Sequence, residues 1–263
     1  MGIRTLAAAT GGAVVPSGLR HRLVGAVHPA GARPLAAVLA DLGLWPGALV
    51  AGDPGVHAVG RLGRGRKATV MLEECGLPYR LHRRELSAGD QHQPEFRRIN
   101  PNGKIPVTVD TDVGLTIAES GAVLIYLAEK SGKLLPNEQG QRTEVLQWLF
   151  FQVGNLGTMA GQYNHFRRYR PRDDYAFGRY RDEVLRLLGV MDERLGEGDY
   201  IAGDHSIADI ALLPWIRAPQ KWDIPFTDFS RLDAWYRRPL RRPAVIRGFD
   251  VLETRELAAE NQR

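Results

Sequence analysis

The sequence predicts an α+β protein in which a small mixed part, carrying both strands and helices, is followed by an all-helical part. Three observations predict this. Between residues 79 and 117, short alternating runs are separated by turn residues, the pattern of strands and a hairpin. From about residue 140 onward, apolar residues recur at helical spacing over four long segments. Leu134-Leu135-Pro136-Asn137 lies between the two patterns as a linker.

Taken in order, residues 1–66 differ from everything after them. They contain no Lys, Glu, Asn, Gln, Phe, Tyr or Cys, and Ala and Gly fill 26 of the 66 positions. Residues 1–54 are therefore expected to be an atypical, poorly ordered extension. Val56–Val59 is a short strand candidate. Arg66–Cys75 reads as a helix with Ala68, Val70, Met71 and Leu72 as its apolar members, and Gly76-Leu77-Pro78 ends it. Tyr79–Leu86 alternates and reads as a strand. Ile105–Val109 and Gly114–Ile117 form a hairpin around Asp110-Thr111-Asp112, and a helix starting at Ser120 closes a domain spanning 55–133. Helices at about 140–165, 173–196, 206–217 and 231–248 make up a second domain, 139–250.

Composition excludes several function classes. No run approaches the roughly 20 apolar residues needed to span a membrane. The apolar stretch Leu6–Val15 meets Gly11, Gly12 and then Pro16 with no clear cleavage site, so no signal peptide is expected. A single cysteine, Cys75, permits no internal disulfide and fits a reducing cytoplasm; its place in LEECGLPY is that of a small core residue. The net charge of +5 arises within residues 1–66, and the remainder is neutral, which argues against a nucleic-acid surface. The run Arg237-Arg238-Pro239-Leu240-Arg241-Arg242 reads as a solvated helix end. The histidines, His57 among them, form no spaced metal set, and no metal is expected.

Two segments carry the chemistry. Asn100–Asp110 reads NPNGKIPVTVD, and Ala118–Lys130 reads AESGAVLIYLAEK. In the second, Glu119 and Ser120 open an apolar helix whose first-turn N–H groups are unpaired and partly positive. A carboxylate docks at such an end, a Ser hydroxyl adds a donor, and an acid beside it can pair with an ammonium group. The pair therefore suits an α-amino acid head group, although a plain helix cap uses the same residues. In the first segment, Ile105-Pro106 delays strand pairing because proline has no N–H. A cis bond there would turn the Ile105 backbone outward to pair with an extended peptide, whereas a trans bond would leave an ordinary edge-strand proline.

Together, NPNGKIPV and ESGAVLIYLAEK resemble the glutathione-binding half of the glutathione transferase superfamily. Tyr200–Leu213, YIAGDHSIADIALL, is close to that family's C-terminal signature, with Ser206 and Asp209 at capping-box spacing. Leu86–Pro106 and Glu144–Phe166 narrow the resemblance to the bacterial and fungal Nu-type branch, whose members have disulfide-bond reductase activity. Similarity extends from about Gly65 to about Gly248. The resemblance implies a thioredoxin-like N-terminal domain, with its first strand paired on both sides, followed by an all-α glutathione transferase C-terminal domain. It implies a glutathione-dependent transferase or disulfide-bond oxidoreductase, homodimeric, with glutathione as cosubstrate and a small electrophile or disulfide as its other partner. It also implies ligand contacts at Gln91, Lys104, Ile105, Glu119, Ser120 and Arg179, and a second-substrate pocket near Tyr163, Asn164, His165 and Phe166.

One part departs from the pattern. Where the Nu-type loop reads Thr-Pro-Asn-Gly, this chain has Leu62-Gly63-Arg64-Gly65, followed by the matching Arg66-Lys67. The Thr and Asn donors that approach the glutathione sulfur in that branch are absent, so the catalytic residue is unassigned. In one account the loop has diverged, with Arg64 stabilising a thiolate by charge. In the other, which the composition favours, residues 1–64 come from a wrong reading frame of a GC-rich gene. The rivals to catalysis are glutathione binding without turnover, and a non-enzymatic interaction module.

Overall fold

The computed structural model describes residues 55–60, 65–168, 174–216, 224 and 226–260, with side chains to 251, all within the unit Pro34–Arg263. The first helix, α1 (Arg66–Cys75), stops where Gly76 adopts the left-handed conformation, φ 68°, and its N–H caps the last turn. It connects two parallel neighbours, β1 (Val56–Gly60) and β2 (Tyr79–Arg83). After a short helix, α2 (Pro94–Ile99), come β3 (Val107–Asp110), β4 (Leu115–Ala118) and α3 (Ser120–Ser131). The sheet order is β2-β1-β3-β4, with β3 antiparallel to both β1 and β4. The short VHAV run is thus an interior strand, paired on both sides.

Strand alternation divides the sheet between two cores. Val56 and Ala58 face Val70, Leu72, Leu124 and Leu127 of α1 and α3. Val59, Val107 and Val109 face Phe96 and Ile99 of α2. The predicted strand Tyr79–Leu86 ends early, at Arg83. The chain turns there because Glu85 caps a 3₁₀ turn through Ser87 N–H and donates its own N–H to Asp90. Asp110, buried at the end of β3, accepts from Lys130 Nζ and Tyr126 Oη, both at 2.6 Å, and so fastens α3 to the sheet. Burial alone would raise its pKa, but these two donors hold it below the ordinary carboxylate value.

The helical half starts with α4 (Gln139–Phe150), passes through a π-helical turn, Phe151–Leu156, and continues as α5 (Gly157–Arg168). The predicted 140–165 helix is therefore interrupted. Next come α6 (Asp174–Arg194) and the buried α7 (Ile207–Ile216). The Ser206–Asp209 box forms, with Asp209 accepting from Ser206 N–H at 3.0 Å and Ser206 Oγ from Ala208 N–H at 3.3 Å. The predicted helix 231–248 is two helices, α8 (Ser230–Arg237) and α9 (Pro243–Glu260), with a 3₁₀ turn, Pro239–Arg241, between them. Neither Pro239 nor Pro243 can donate to a continuing helix, so the backbone breaks there. The basic run at this break is largely ion-paired, through Asp233, Asp199 and Glu74. Among the described residues, no helix is long and apolar enough to cross a membrane.

Candidate functional site

The two segments singled out from the sequence meet at one cavity of about 450 Å³, within the usual range for small-ligand sites. One wall is Asn100, Lys104, Ile105, Pro106, Glu119 and Ser120; the other is Gln152, Thr158, Gln162, His165 and Trp215 of the helical half. The Ile105–Pro106 bond is cis. Pairing of β3 with β1 begins only at Val107, so the Ile105 backbone stands outside the ladder on the cavity wall. Buried Asn100 shapes this turn: its Nδ2 donates to Lys104 O at 2.6 Å, and its Oδ1 accepts from Asn102 N–H at 3.0 Å.

Glu119 is the residue just outside α3, at φ 65° and ψ 122°. Non-glycine residues rarely adopt this conformation, which costs on the order of 1–3 kcal/mol. Its carbonyl accepts Val123 N–H at 3.0 Å, the first bond of the helix, and its exposed carboxylate accepts from Asn102 Nδ2 at 3.2 Å. The strained turn thus presents an acid and a helix N-terminus side by side on the cavity.

Lys67, near the start of α1, has a role that sequence reasoning missed. Only 4% exposed, its ammonium donates to Ser120 Oγ at 3.1 Å and to Gln152 Oε1 at 2.5 Å. Gln152 is buried in the π-helical turn, a form often found at functional sites. The signal available in sequence was Lys67 itself, a charge three and four residues before Val70 and Met71 on the buried face of the helix.

The other predicted residues are placed as follows. Lys104 lines the cavity and is exposed. Gln91 does not line it; Gln91 packs its carbonyl against the Gly103 turn, and its buried Oε1 has no hydrogen-bond partner among the described residues. Arg179 is exposed on α6 and lines a different cavity, with Tyr175 and Glu183. Of the four residues expected at a second-substrate pocket, His165 lines the site. Tyr163 is buried against Phe177, and Phe166 stacks on Tyr180. Cys75 is buried beside Ser131 Oγ, and burial pushes its thiol pKa up, as suits a small core residue. Leu62-Gly63-Arg64, where the thiolate-activating donors are expected, lies outside the described residues.

Comparison with known proteins agrees with this fold. A family model described as glutathione S-transferase, N-terminal domain matches residues 64–130, and one for the C-terminal domain of the same family matches 171–243. The disulfide-bond oxidoreductase YfcG of Escherichia coli is 45% identical over 188 residues, covering 69% of this chain and 87% of the relative. A glutathione transferase family member from Pseudomonas fluorescens, solved with two glutathione bound, superposes with a TM-score of 0.73 at 39% identity, covering 81% of this chain and 97% of that one. A glutathione transferase from Pseudomonas putida, solved with one glutathione disulfide per subunit, does so with 0.73 at 36% identity, covering 81% and 96%.

Proposed function

The chain belongs to the glutathione transferase superfamily, and we propose that it uses the thiolate of bound glutathione as a nucleophile, toward a disulfide or a small electrophile. One observation carries this reading: the acid–hydroxyl pair at the start of α3 and Ile105, which precedes the paired part of β3, share a single cavity. Glu119 pairs with the γ-glutamyl ammonium, while Ser120 and the α3 N-terminus take the adjacent carboxylate. Ile105 exchanges backbone hydrogen bonds with the cysteinyl residue as a one-residue strand. Lys104 is exposed beside the cysteinyl position, and Gln91 and Arg179 would reach the ligand only by moving toward it.

With the glutamyl head and the cysteinyl backbone fixed, the sulfur faces the cavity between the two halves. On a disulfide, the thiolate forms a new S–S bond as the old one breaks, and the departing thiolate takes up a proton. A second glutathione then attacks the mixed disulfide, giving glutathione disulfide and releasing the other thiol. On an electrophile such as an activated aryl halide, a C–S bond forms instead as the carbon–halogen bond breaks and the halide leaves with its electron pair. His165, on the opposite wall, is within the same cavity to supply the proton. This cycle consumes reduced glutathione, which a reducing cytoplasm supplies. We further propose a homodimer, as is usual in the superfamily.

The test is calorimetric titration with glutathione and with glutathione disulfide, followed by assays of reduction of 2-hydroxyethyl disulfide and conjugation of 1-chloro-2,4-dinitrobenzene. Micromolar to millimolar binding with turnover in either assay supports the reading. Binding without turnover supports the second reading, a glutathione-binding protein without catalysis, which Leu62 and Arg64 favour by replacing the expected Thr and Asn. Failure to bind either ligand leaves only an interaction module.

A further inference from the structure

Resting on the reading that Ser120 holds the glutamyl carboxylate, we infer that Lys67 and Gln152 are positioning residues that set the direction of the Ser120 hydroxyl. They thereby make carboxylate recognition depend on the helical half. The chemistry follows from which groups can donate. A lysine ammonium has three donors and no acceptor. At 3.1 Å from Ser120 Oγ it must donate, so the oxygen accepts and the hydroxyl hydrogen is left to point elsewhere. The same constraint orients the carboxamide of Gln152: the atom 2.5 Å from the ammonium must be the carbonyl oxygen. The chain of polarity therefore runs one way, from the ammonium to both oxygens, and it ends with Ser120 as a donor to the cavity. A serine without this neighbour could equally turn its lone pairs toward the ligand, which would repel a carboxylate.

The arrangement is held firmly. Gln152 and Lys67 are 1% and 4% exposed, so neither side chain can trade these bonds for water. Gln152 is confined by Gly157, where an added Cβ would come within 2.6 Å of Gln152 Nε2 and 2.9 Å of its carbonyl oxygen. Lys67 itself is fixed by α1, which packs on α3 and α9. A positive charge thus sits directly against Ser120 at the edge of the cavity, which Lys67 itself also lines. It adds attraction for an anion to the donor it creates.

The experiment compares the full-length wild type with Lys67→Met, Ser120→Ala, the double variant, and Gln152→Glu. Each is titrated with glutathione and with 4-aminobutanoyl-cysteinyl-glycine, which lacks only the glutamyl carboxylate; circular dichroism and thermal unfolding check the fold. Lys67→Met should weaken glutathione binding about tenfold to a hundredfold, as expected for loss of a charge-assisted hydrogen bond. It should leave the analogue within about twofold, and it should add little in the Ser120→Ala background, since both changes remove the same donor. Gln152→Glu keeps an acceptor for Lys67 but cancels its charge, so it should cost glutathione about fivefold and the analogue nothing; it keeps the test open if Lys67→Met fails to fold. Equal losses for both ligands, or full additivity with Ser120→Ala, would overturn the inference by reducing Lys67 to packing. If the wild type itself does not distinguish glutathione from the analogue, the Ser120 reading fails, and the inference fails with it.

Discussion

The Glu74–Arg242 pair allows a quantitative test of how α1 is held. Glu74, near the end of α1, has a side chain only 5% exposed, and Arg242, just before α9, grips it with a fork of 2.6 and 2.8 Å. Burial would raise the carboxyl pKa. The Arg242 hydrogen bonds and His205, 3.5 Å away, outweigh burial and hold it at about 2, against an ordinary 4.5. The folded-state value is the lower one. The stabilisation is therefore complete above about pH 4.5 and is lost as the pH falls through the folded value. At 1.36 kcal/mol per unit the shift corresponds to roughly 3 kcal/mol. Because Arg242 is 38% exposed, solvent screening brings the expected figure to about 1.5–3 kcal/mol.

The two partners are not equivalent, and that makes the reasoning refutable. Glu74→Gln leaves a guanidinium that can turn to water, so it should cost about 1–2 kcal/mol at pH 7. Arg242→Met leaves a carboxylate buried with little compensation, and should cost about 3–5 kcal/mol. The pH profiles should also diverge. As the pH falls from about 5 toward 3, the gap between wild type and Glu74→Gln narrows, because the wild type loses its advantage, and it closes only near pH 2. For Arg242→Met, burial now raises the Glu74 pKa, so its gap to wild type narrows already between about pH 7 and 5. Urea unfolding at pH 7, 5 and 4 measures both effects. Equal costs with parallel pH profiles would show that the pair does not hold α1 in the way described.

Three further outcomes are expected. Glu119→Gly removes the acid but relieves the positive φ, so it should leave the unfolding midpoint unchanged or slightly raised while glutathione affinity drops; Glu119→Ala should lose affinity equally and gain no stability. Gly248→Ala should cost about 2 kcal/mol or more, because the added methyl meets Val70 Cα at 2.5 Å, whereas Gly189→Ala, with open space around it, should add about 0.5–1 kcal/mol in the same thermal assay. Asp209→Ala strips the acceptor from Ile201 N–H, Ser206 N–H and Trp235 Nε1 at once, all buried, and should cost about 3–5 kcal/mol by urea titration.

Much of this was legible in the chain because its signals are local. Gly76-Leu77-Pro78 marks the end of α1, and the alternation after Ile105 marks β3, each within a few residues of the atoms it governs. Glu119 and Ser120 were legible for the same reason. What was missed depends on distance or on competing signals. Lys67 meets Ser120 and Gln152 across 53 and 85 residues of sequence, and no local pattern encodes either contact. The break between α8 and α9 was marked by Pro239 and Pro243, but the apolar period on both sides masked it. Helix α2 is only six residues long, too short for a period to register, although Pro94 at its first turn and the buried pair Phe96 and Ile99 fit it. Arg179 shows the converse: its place in α6 was legible, but the face it occupies, beside a different cavity, is fixed by how α6 packs.

These contacts make α1 the element that connects ligand binding to the rest of the molecule. At its start, Lys67 reaches Gln152 of the helical half and Ser120 of the binding helix. Two residues on, Thr69 Oγ1 donates to Gly248 O at 2.7 Å, where α9 comes close enough to exclude any side chain larger than hydrogen. At its end, Glu74 is clamped by Arg242. A helix tied at three points to the helical half cannot shift or rotate without moving the ammonium that holds Ser120. The residues that would grip glutathione come from the sheet-bearing half, yet the lysine that sets the polarity of one of them is anchored to the helical half through Gln152. Substitutions at the far contacts, Gly248 and Arg242, should therefore weaken binding of glutathione more than binding of the analogue without its glutamyl carboxylate. A loss of stability that left α1 in place would not separate the two ligands.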